Sequence, residues 1–173
     1  VIRAARDQDI PTLRAIERDA GRVFTTLGMA EIAEDEPPSA GTLRRYVEQQ
    51  QAWVHTADGR PVAYVLVDIV DGCAHIEQVS VRSAHAGRRV GAGLIEHVDA
   101  WAARGGAAAL TLTTFTDVPW NGPYYERCGF RRLSDAEVTP GLRELRRAEA
   151  EHGPRPLAPC VHAARTAGRP APR

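Results

Sequence analysis

The sequence contains no lysine; all 22 of its basic residues are arginine. A nucleotide triphosphatase with the Gly-Lys-Ser/Thr phosphate loop is thereby excluded, because that loop needs the lysine. The arginine bias itself is what a GC-rich coding sequence produces. There is no excess charge of either sign, since 22 acidic side chains balance the arginines. Nothing global therefore favours nucleic acid or an anionic membrane surface. Cysteine is scarce: Cys73, Cys128 and Cys160 are widely spaced, form no Cys-x-x-Cys pair and have no histidine at zinc-finger spacing. No metal site is expected, and free thiols in a reducing cytoplasm are the simplest reading. A run of about 18 apolar residues, the length of a membrane span, is missing. The first residues also lack the charged-then-apolar pattern of a signal peptide. A soluble cytoplasmic protein without a membrane partner is expected.

What is present fits one domain. The chain has 173 residues, enough to bury a core without disulfides or metals. Residues 1–5 read as an opening strand. Asp7 or Asp9 can cap a helix in which Pro11 is tolerated and Ile10, Leu13, Ile16 and Ala20 recur at helical spacing. Residues 24–36 are irregular, and Ser39 is placed to cap a second helix near residues 42–51. Strands follow at 52–56, 62–70 and 74–81, with Asp58-Gly59 and Asp71-Gly72 as hairpin turns. In the third strand Ala74 and Ile76 have one parity while Val79 and Val81 have the other. Either both faces are buried, or a bulge near Glu77-Gln78 re-phases the strand. A helix over 91–104 ends at Gly105-Gly106, and a strand over 108–114 completes a parallel crossover. A short helix at 119–127, a strand from Gly129-Phe130 and a charged helix at 141–152 come next. From Gly153 onward Pro, Ala, Gly and Arg dominate, so disorder or loose packing is the default there. The division is a domain over residues 1–150 and an atypical tail over 151–173.

The sharpest chemical signal is Arg88-Arg89-Val90-Gly91-Ala92-Gly93, between a strand and an amphipathic helix. Glycines let backbone N–H groups approach a diphosphate, the helix N-terminus attracts the anion, and the arginines add charge-assisted contacts. A dinucleotide fold would need a third glycine where Glu96 stands. An ordinary strand-to-helix turn is the alternative for this block alone. A second block, Trp120-Asn121-Gly122-Pro123-Tyr124-Tyr125-Glu126-Arg127-Cys128-Gly129-Phe130, follows after a helix and a strand. The two together resemble the GNAT superfamily of N-acetyltransferases, whose acetyl-CoA motif reads Gln/Arg-x-x-Gly-x-Gly/Ala and whose later segment reads Asn…Tyr-Glu-x-x-Gly-Phe. The resemblance covers roughly residues 1–133.

That resemblance implies an α/β fold with a mixed central sheet of about six or seven strands. The sheet is splayed between two cofactor-binding strands and flanked by about four helices. It implies acetyl-CoA as co-substrate and no metal. Backbone groups near Val79 and Val81 would hold the pantetheine. The amides of Arg89, Val90, Gly91, Ala92, Gly93 and Leu94 would hold the pyrophosphate, with Arg88 beside them and Asn121 on the cofactor's arm. Tyr125 would be the acid that protonates the leaving thiolate, a role for which a phenol is protonated at neutral pH. Glu77 is the candidate base, directly or through water, with partial burial raising its pKa. The acceptor would be a primary amine, of a small molecule rather than a protein terminus. It would lie near residues 24–36, whose Glu31, Glu34, Asp35 and Glu36 suit a cation, and near Asp117 and Trp120. Cys128 is read as packing. Homodimers are common in the family, although no interface is visible here.

Two other readings stay open: a non-catalytic acyl-CoA-binding or sensing module, which has no need of Tyr125, and an interaction protein without coenzyme A affinity. A nucleic-acid-directed member is disfavoured by the zero net charge. The family usually closes with one more strand behind the Gly-Phe strand, for which Cys160-Val161-His162-Ala163 is the only plausible piece.

Overall fold

The structure, a computed structural model, describes residues 1–25, 36–115, 121–152 and 160–166, the last seven as backbone. Its strands are β1 (Ile2–Ala4), β2 (Ala52–Ala57), β3 (Arg60–Val70), β4 (Cys73–Val81), β5 (Ala109–Phe115), β6 (Arg131–Arg132) and β7 (Cys160–Thr166). Among the described residues the helices are α1 (Ile10–Thr25), α2 (Ala40–Glu48), α3 (Val90–Arg104), α4 (Asn121–Arg127) and α5 (Pro140–His152). The described helices number five where about four were expected. The chain divides into two compact units, Val1–Val67 with Gln78–His97, and Asp68–Glu77 with Val98–Arg173.

In the first unit the strands run in the order β1-β2-β3-β4, with β1 and β3 antiparallel to β2. The Asp58-Gly59 turn has φ of 49° and 76°, the paired left-handed conformation that matches strand twist in a two-residue hairpin. Helix α1 lays Ile10, Leu13 and Ile16 on the sheet, against Leu43 and Tyr46 of α2 and Val54, Tyr64 and Leu66 of the strands. Ser39 caps α2 as expected, accepting the Thr42 N–H at 3.0 Å. Asp9 also caps, within a capping box at the short turn before α1. Its buried carboxylate accepts from the Arg6 N–H and from the Arg3 guanidinium at 2.7 Å, fastening β1 to the entry of α1.

In the second unit the order is β4-β5-β7-β6. β4 and β5 are parallel with α3 between them in the chain, which is the expected crossover. Their ladder is three residues long, Ala74–Ile76 against Leu110–Leu112. Ala74, His75 and Ile76 are all buried, so the reading in which both faces are covered holds at this end of β4. His75 is a structural histidine here: its Nδ1 lies 2.9 Å from Thr111 Oγ1. The Asp71-Gly72 turn repeats the left-handed pair, at 50° and 77°. The Asp71 carboxylate then accepts the Gly141 N–H at 2.8 Å at the start of α5. A Cβ at Gly141 would stand 2.7 Å from that carboxylate.

The tail departs from its default of disorder. Residues 160–166 pair antiparallel with the whole of β5, from Phe115↔Cys160 to Ala109↔Thr166, and with β6 on the other side. The segment Cys160-Val161-His162-Ala163 lies inside this strand.

Candidate functional site

The first unit carries the loop over residues 88–93. Strand β4 ends at Val81, the Arg82 N–H bonds to the Val62 carbonyl at 2.9 Å, and a single 3-10 turn spans Ser83–His85. Gly87 and Arg89 then take left-handed φ values of 73° and 58° before α3 begins at Val90. A left-handed arginine costs roughly 1–2 kcal/mol. Such a residue persists where its surroundings over-determine it, which happens most at ligand sites. The first N–H bonded within this helix is that of Gly93, to the Arg89 carbonyl at 2.9 Å. The N–H groups of Val90, Gly91 and Ala92 precede it, in the turn whose amides a helix cannot satisfy internally. Arg88 and Arg89 are exposed, and the Arg89 guanidinium lies 3.5 Å from the Glu96 carboxylate. Leu94 is fully buried.

Glycine at position 93 has no packing reason. An added Cβ would meet only Ile2 Cδ1, at 3.9 Å. The fold therefore has room for a methyl group at this position.

Behind β4 in the same unit stands a group the sequence reading missed. Glu17 of α1 accepts from the Tyr64 hydroxyl at 2.7 Å, from the Ser80 hydroxyl, and from Gln78 Nε2 at 3.0 Å. Burial raises the pKa of Tyr64 far above the ordinary phenol value, with Glu17 adding to the effect, so Tyr64 stays a donor. Asp19, two residues on, accepts from the Ser83 N–H at 2.7 Å and from its hydroxyl at 2.9 Å. The Ser83 backbone bond is the first cause holding the Asp19 pKa below its ordinary value. The signal for Glu17 was in the helical period. Positions 10, 13, 17 and 20 lie on one stripe, and an acid at 17 interrupts apolar residues.

The second unit carries the tyrosine half. Helix α4 ends in a Schellman arrangement: Gly129 has φ 85°, its N–H bonds to the Glu126 carbonyl, and the Phe130 N–H bonds to the Tyr125 carbonyl at 3.0 Å. This motif brings the side chains at its two ends into contact. Tyr125 and Phe130 accordingly meet edge to face, with ring centroids 5.9 Å apart. The Tyr-x-x-x-Gly-Phe spacing thus has a local physical cause. Tyr125 is half-buried, and burial pushes its pKa up to about 12, Cys128 adding to the effect. The ring of Tyr124 does not diverge from it as simple helical spacing suggested, but packs edge-on at 5.1 Å. Cys128 is buried, and its thiol is not in a disulfide.

Glu77, at the end of the β4–β5 ladder, is exposed, not partly buried as its role as a base suggested. Val79 and Val81 are half-buried on β4, on the parity opposite Gln78 and Ser80. Asn121 opens α4, but its side chain lies outside the described residues, as do Phe24's side chain, residues 26–35, Asp117 and Trp120. Glu36 is described, and its carboxylate lies 3.7 Å from Arg14. Among the described residues no three His, Cys, Asp or Glu side chains form a metal site, and no helix is long and apolar enough to cross a membrane.

Comparison with known proteins bears on both halves. The model of the Acetyltransferase (GNAT) family matches residues 13–130. The chain is similar in fold to the ribosomal-protein-alanine N-acetyltransferase from Brucella melitensis, with 15% identity, a TM-score of 0.69, and coverage of 96% of this chain and 99% of that one. It is likewise similar to the PaiA N-acetyltransferase from Thermoplasma acidophilum in complex with coenzyme A (15% identity, TM-score 0.71, covering 96% and 98%). The N-acetylglutamate synthase from Neisseria gonorrhoeae, complexed with coenzyme A and N-acetyl-glutamate, matches 98% of this chain over 35% of its own length (18% identity, TM-score 0.72).

Proposed function

This chain belongs to the GNAT acetyltransferase family, and from that membership we propose that it moves the acetyl group of acetyl-CoA directly to the primary amine of a small molecule in the cytoplasm. The observation that carries the donor assignment is the loop with two left-handed residues, Gly87 and Arg89, delivering the chain into the N-terminus of α3. In this reading the amides of Val90, Gly91 and Ala92 take the pyrophosphate. Arg88 and Arg89 supply charge, and backbone groups at Val79 and Val81 orient the pantetheine.

The chemistry asks for two proton movements. The amine nitrogen bonds to the thioester carbonyl carbon, the carbon–sulfur bond breaks, and the departing sulfur takes a proton. Tyr125 suits the donor's part, since a phenol held at about 12 is protonated at any physiological pH. Glu77 takes the amine proton, through water where it does not reach directly; its exposure keeps it in contact with solvent. Asn121 steadies the cofactor's arm. No step uses a covalent enzyme intermediate, so Cys128 stays a bystander.

Calorimetric titration with acetyl-CoA and coenzyme A tests the donor site. Micromolar binding by the wild type, weakened in Arg89→Ala and Gly93→Ala, is the expected result. Gly93→Ala is informative because the fold has room for the methyl group, so lost affinity reports on the ligand. A folded wild type that ignores coenzyme A defeats the proposal. An acceptor panel of small amines and peptide N-termini then decides between substrate classes, and turnover confined to the peptides overturns the small-molecule assignment.

A further inference from the structure

We infer that Glu17 and Asp19 of α1 form a clasp that sets the position of the donor strand, making Glu17 a positioning residue for coenzyme A binding. The inference rests on the reading of Val79 and Val81 as the pantetheine-binding positions. Along β4 those residues alternate with Gln78 and Ser80, and side chains of opposite parity leave a strand on opposite faces. Both side chains of the second pair end on the Glu17 carboxylate. Gln78 Nε2 also donates to Ser80 Oγ at 2.8 Å, so the two grips are joined to each other. Three residues later the chain is caught again, where Ser83 gives both its N–H and its hydroxyl to Asp19. From 78 to 83 the strand and the turn leading to the phosphate loop are thus held from one side by two carboxylates of a single helix. The ligand-facing parity carries none of these bonds.

The physical reason for such an arrangement is that side-chain bonds fix residues 78–83 against α1, a constraint that the neighbouring β3 ladder does not supply. Hydrogen bonds to a carboxylate are among the stronger available, because the acceptor is charged and partly desolvated. Tyr64 of β3 donates a further bond to the same carboxylate from its buried hydroxyl, whereas the grips on β4 are made by Gln78 and Ser80 alone. Glu17 needs no contact with acetyl-CoA for this role.

The test compares variants that cut the clasp with one that weakens the fold elsewhere. Glu17→Ala and the double variant Gln78→Ala/Ser80→Ala are expected to lower coenzyme A affinity about tenfold, the scale set by losing one or two charge-assisted hydrogen bonds. They should also speed amide exchange across residues 78–83 in the ligand-free protein. Glu17→Gln, which keeps an acceptor oxygen for Tyr64 and Ser80, should recover part of both. Tyr64→Phe should lower the melting temperature while leaving the affinity within about twofold, since the grips on β4 remain. If affinity instead follows melting temperature through all variants, Tyr64→Phe included, the role is merely structural and the inference is overturned. Unchanged exchange over residues 78–83 in Glu17→Ala overturns it as well. A wild type that does not bind coenzyme A overturns the donor reading and this inference together; a wild type that binds, with every variant equal to it, overturns the inference alone.

Discussion

The strand and loop over residues 78–93 and the helix end over residues 124–130 solve the same problem by opposite means. Each must hold its backbone in a set geometry. The first is held by polar groups at a distance in sequence: carboxylates of α1 receive Gln78, Ser80 and Ser83. The second is held by its own neighbours, through a helix cap and a ring-on-ring contact between Tyr125 and Phe130. The difference teaches that local and non-local constraints leave different marks. A local one writes a fixed spacing into the sequence. A non-local one appears only as a residue out of place, such as an acid on an apolar stripe.

The sharpest way to break the apolar half is Phe130→Ala. Phe130 is buried, and loss of a buried aromatic side chain costs about 3–5 kcal/mol. Urea unfolding should show that loss, and a change under about 1 kcal/mol would mean that the ring does not hold this segment. Next in size is Tyr125→Phe, which keeps the ring contact and removes only the hydroxyl. The proposed acid role predicts a fall in kcat of about a hundredfold, with the melting temperature nearly unchanged. Equal rates for the two proteins would assign Tyr125 to packing alone. Gly129→Ala follows, because φ of 85° strains any side chain. About 1–2 kcal/mol of stability should go, with donor binding at the loop preserved.

The smallest effect separates the halves by pH. The pKa of Asp19 is lowered by its bonds from Ser83, and that of Asp9 by the Arg3 guanidinium first of all. A lowered carboxylate contributes stability above its unfolded pKa and loses it as pH falls through the folded value. The window therefore opens below the ordinary aspartate value of 3.8. Exchange over residues 78–83 should quicken there before that over residues 124–130, and simultaneous loosening would remove the distinction. Alkali makes no such separation. The phenols of Tyr64, Tyr124 and Tyr125 are all raised by burial, so their contribution is complete below the ordinary value of 10.0. It is lost in both regions as pH climbs through the folded values.

Much of the fold was legible from particular residues. Asp58-Gly59 and Asp71-Gly72 announced their turns because few other pairs tolerate two successive left-handed positions. Ser39 announced α2, and the glycine loop announced α3. Strand β7 was nearly illegible. Cys-Val-His-Ala-Ala-Arg-Thr has weak strand character, and its ladder with β5 supplies from outside what composition lacks. Asp9, offered with Asp7 as a cap, does accept the Arg6 N–H in a capping box, but the sequence does not say that Arg3 reaches it as well. Glu77 was misjudged as partly buried because apolar neighbours in the chain need not be neighbours of the side chain in space.

The sequence by itself determined whatever depends on a few consecutive residues: the hairpin turns, the helix caps, the glycine loop before α3 and the Tyr125–Phe130 contact. Each of these is governed by backbone sterics or a single turn of helix, and so is written in short spacings. Only the tertiary structure decided which carboxylate meets which donor, that residues 160–166 pair between β5 and β6, and that Glu17 bonds to Gln78 and Ser80. Those outcomes join residues tens of positions apart, where pairing is settled by packing and by the need to satisfy buried polar groups.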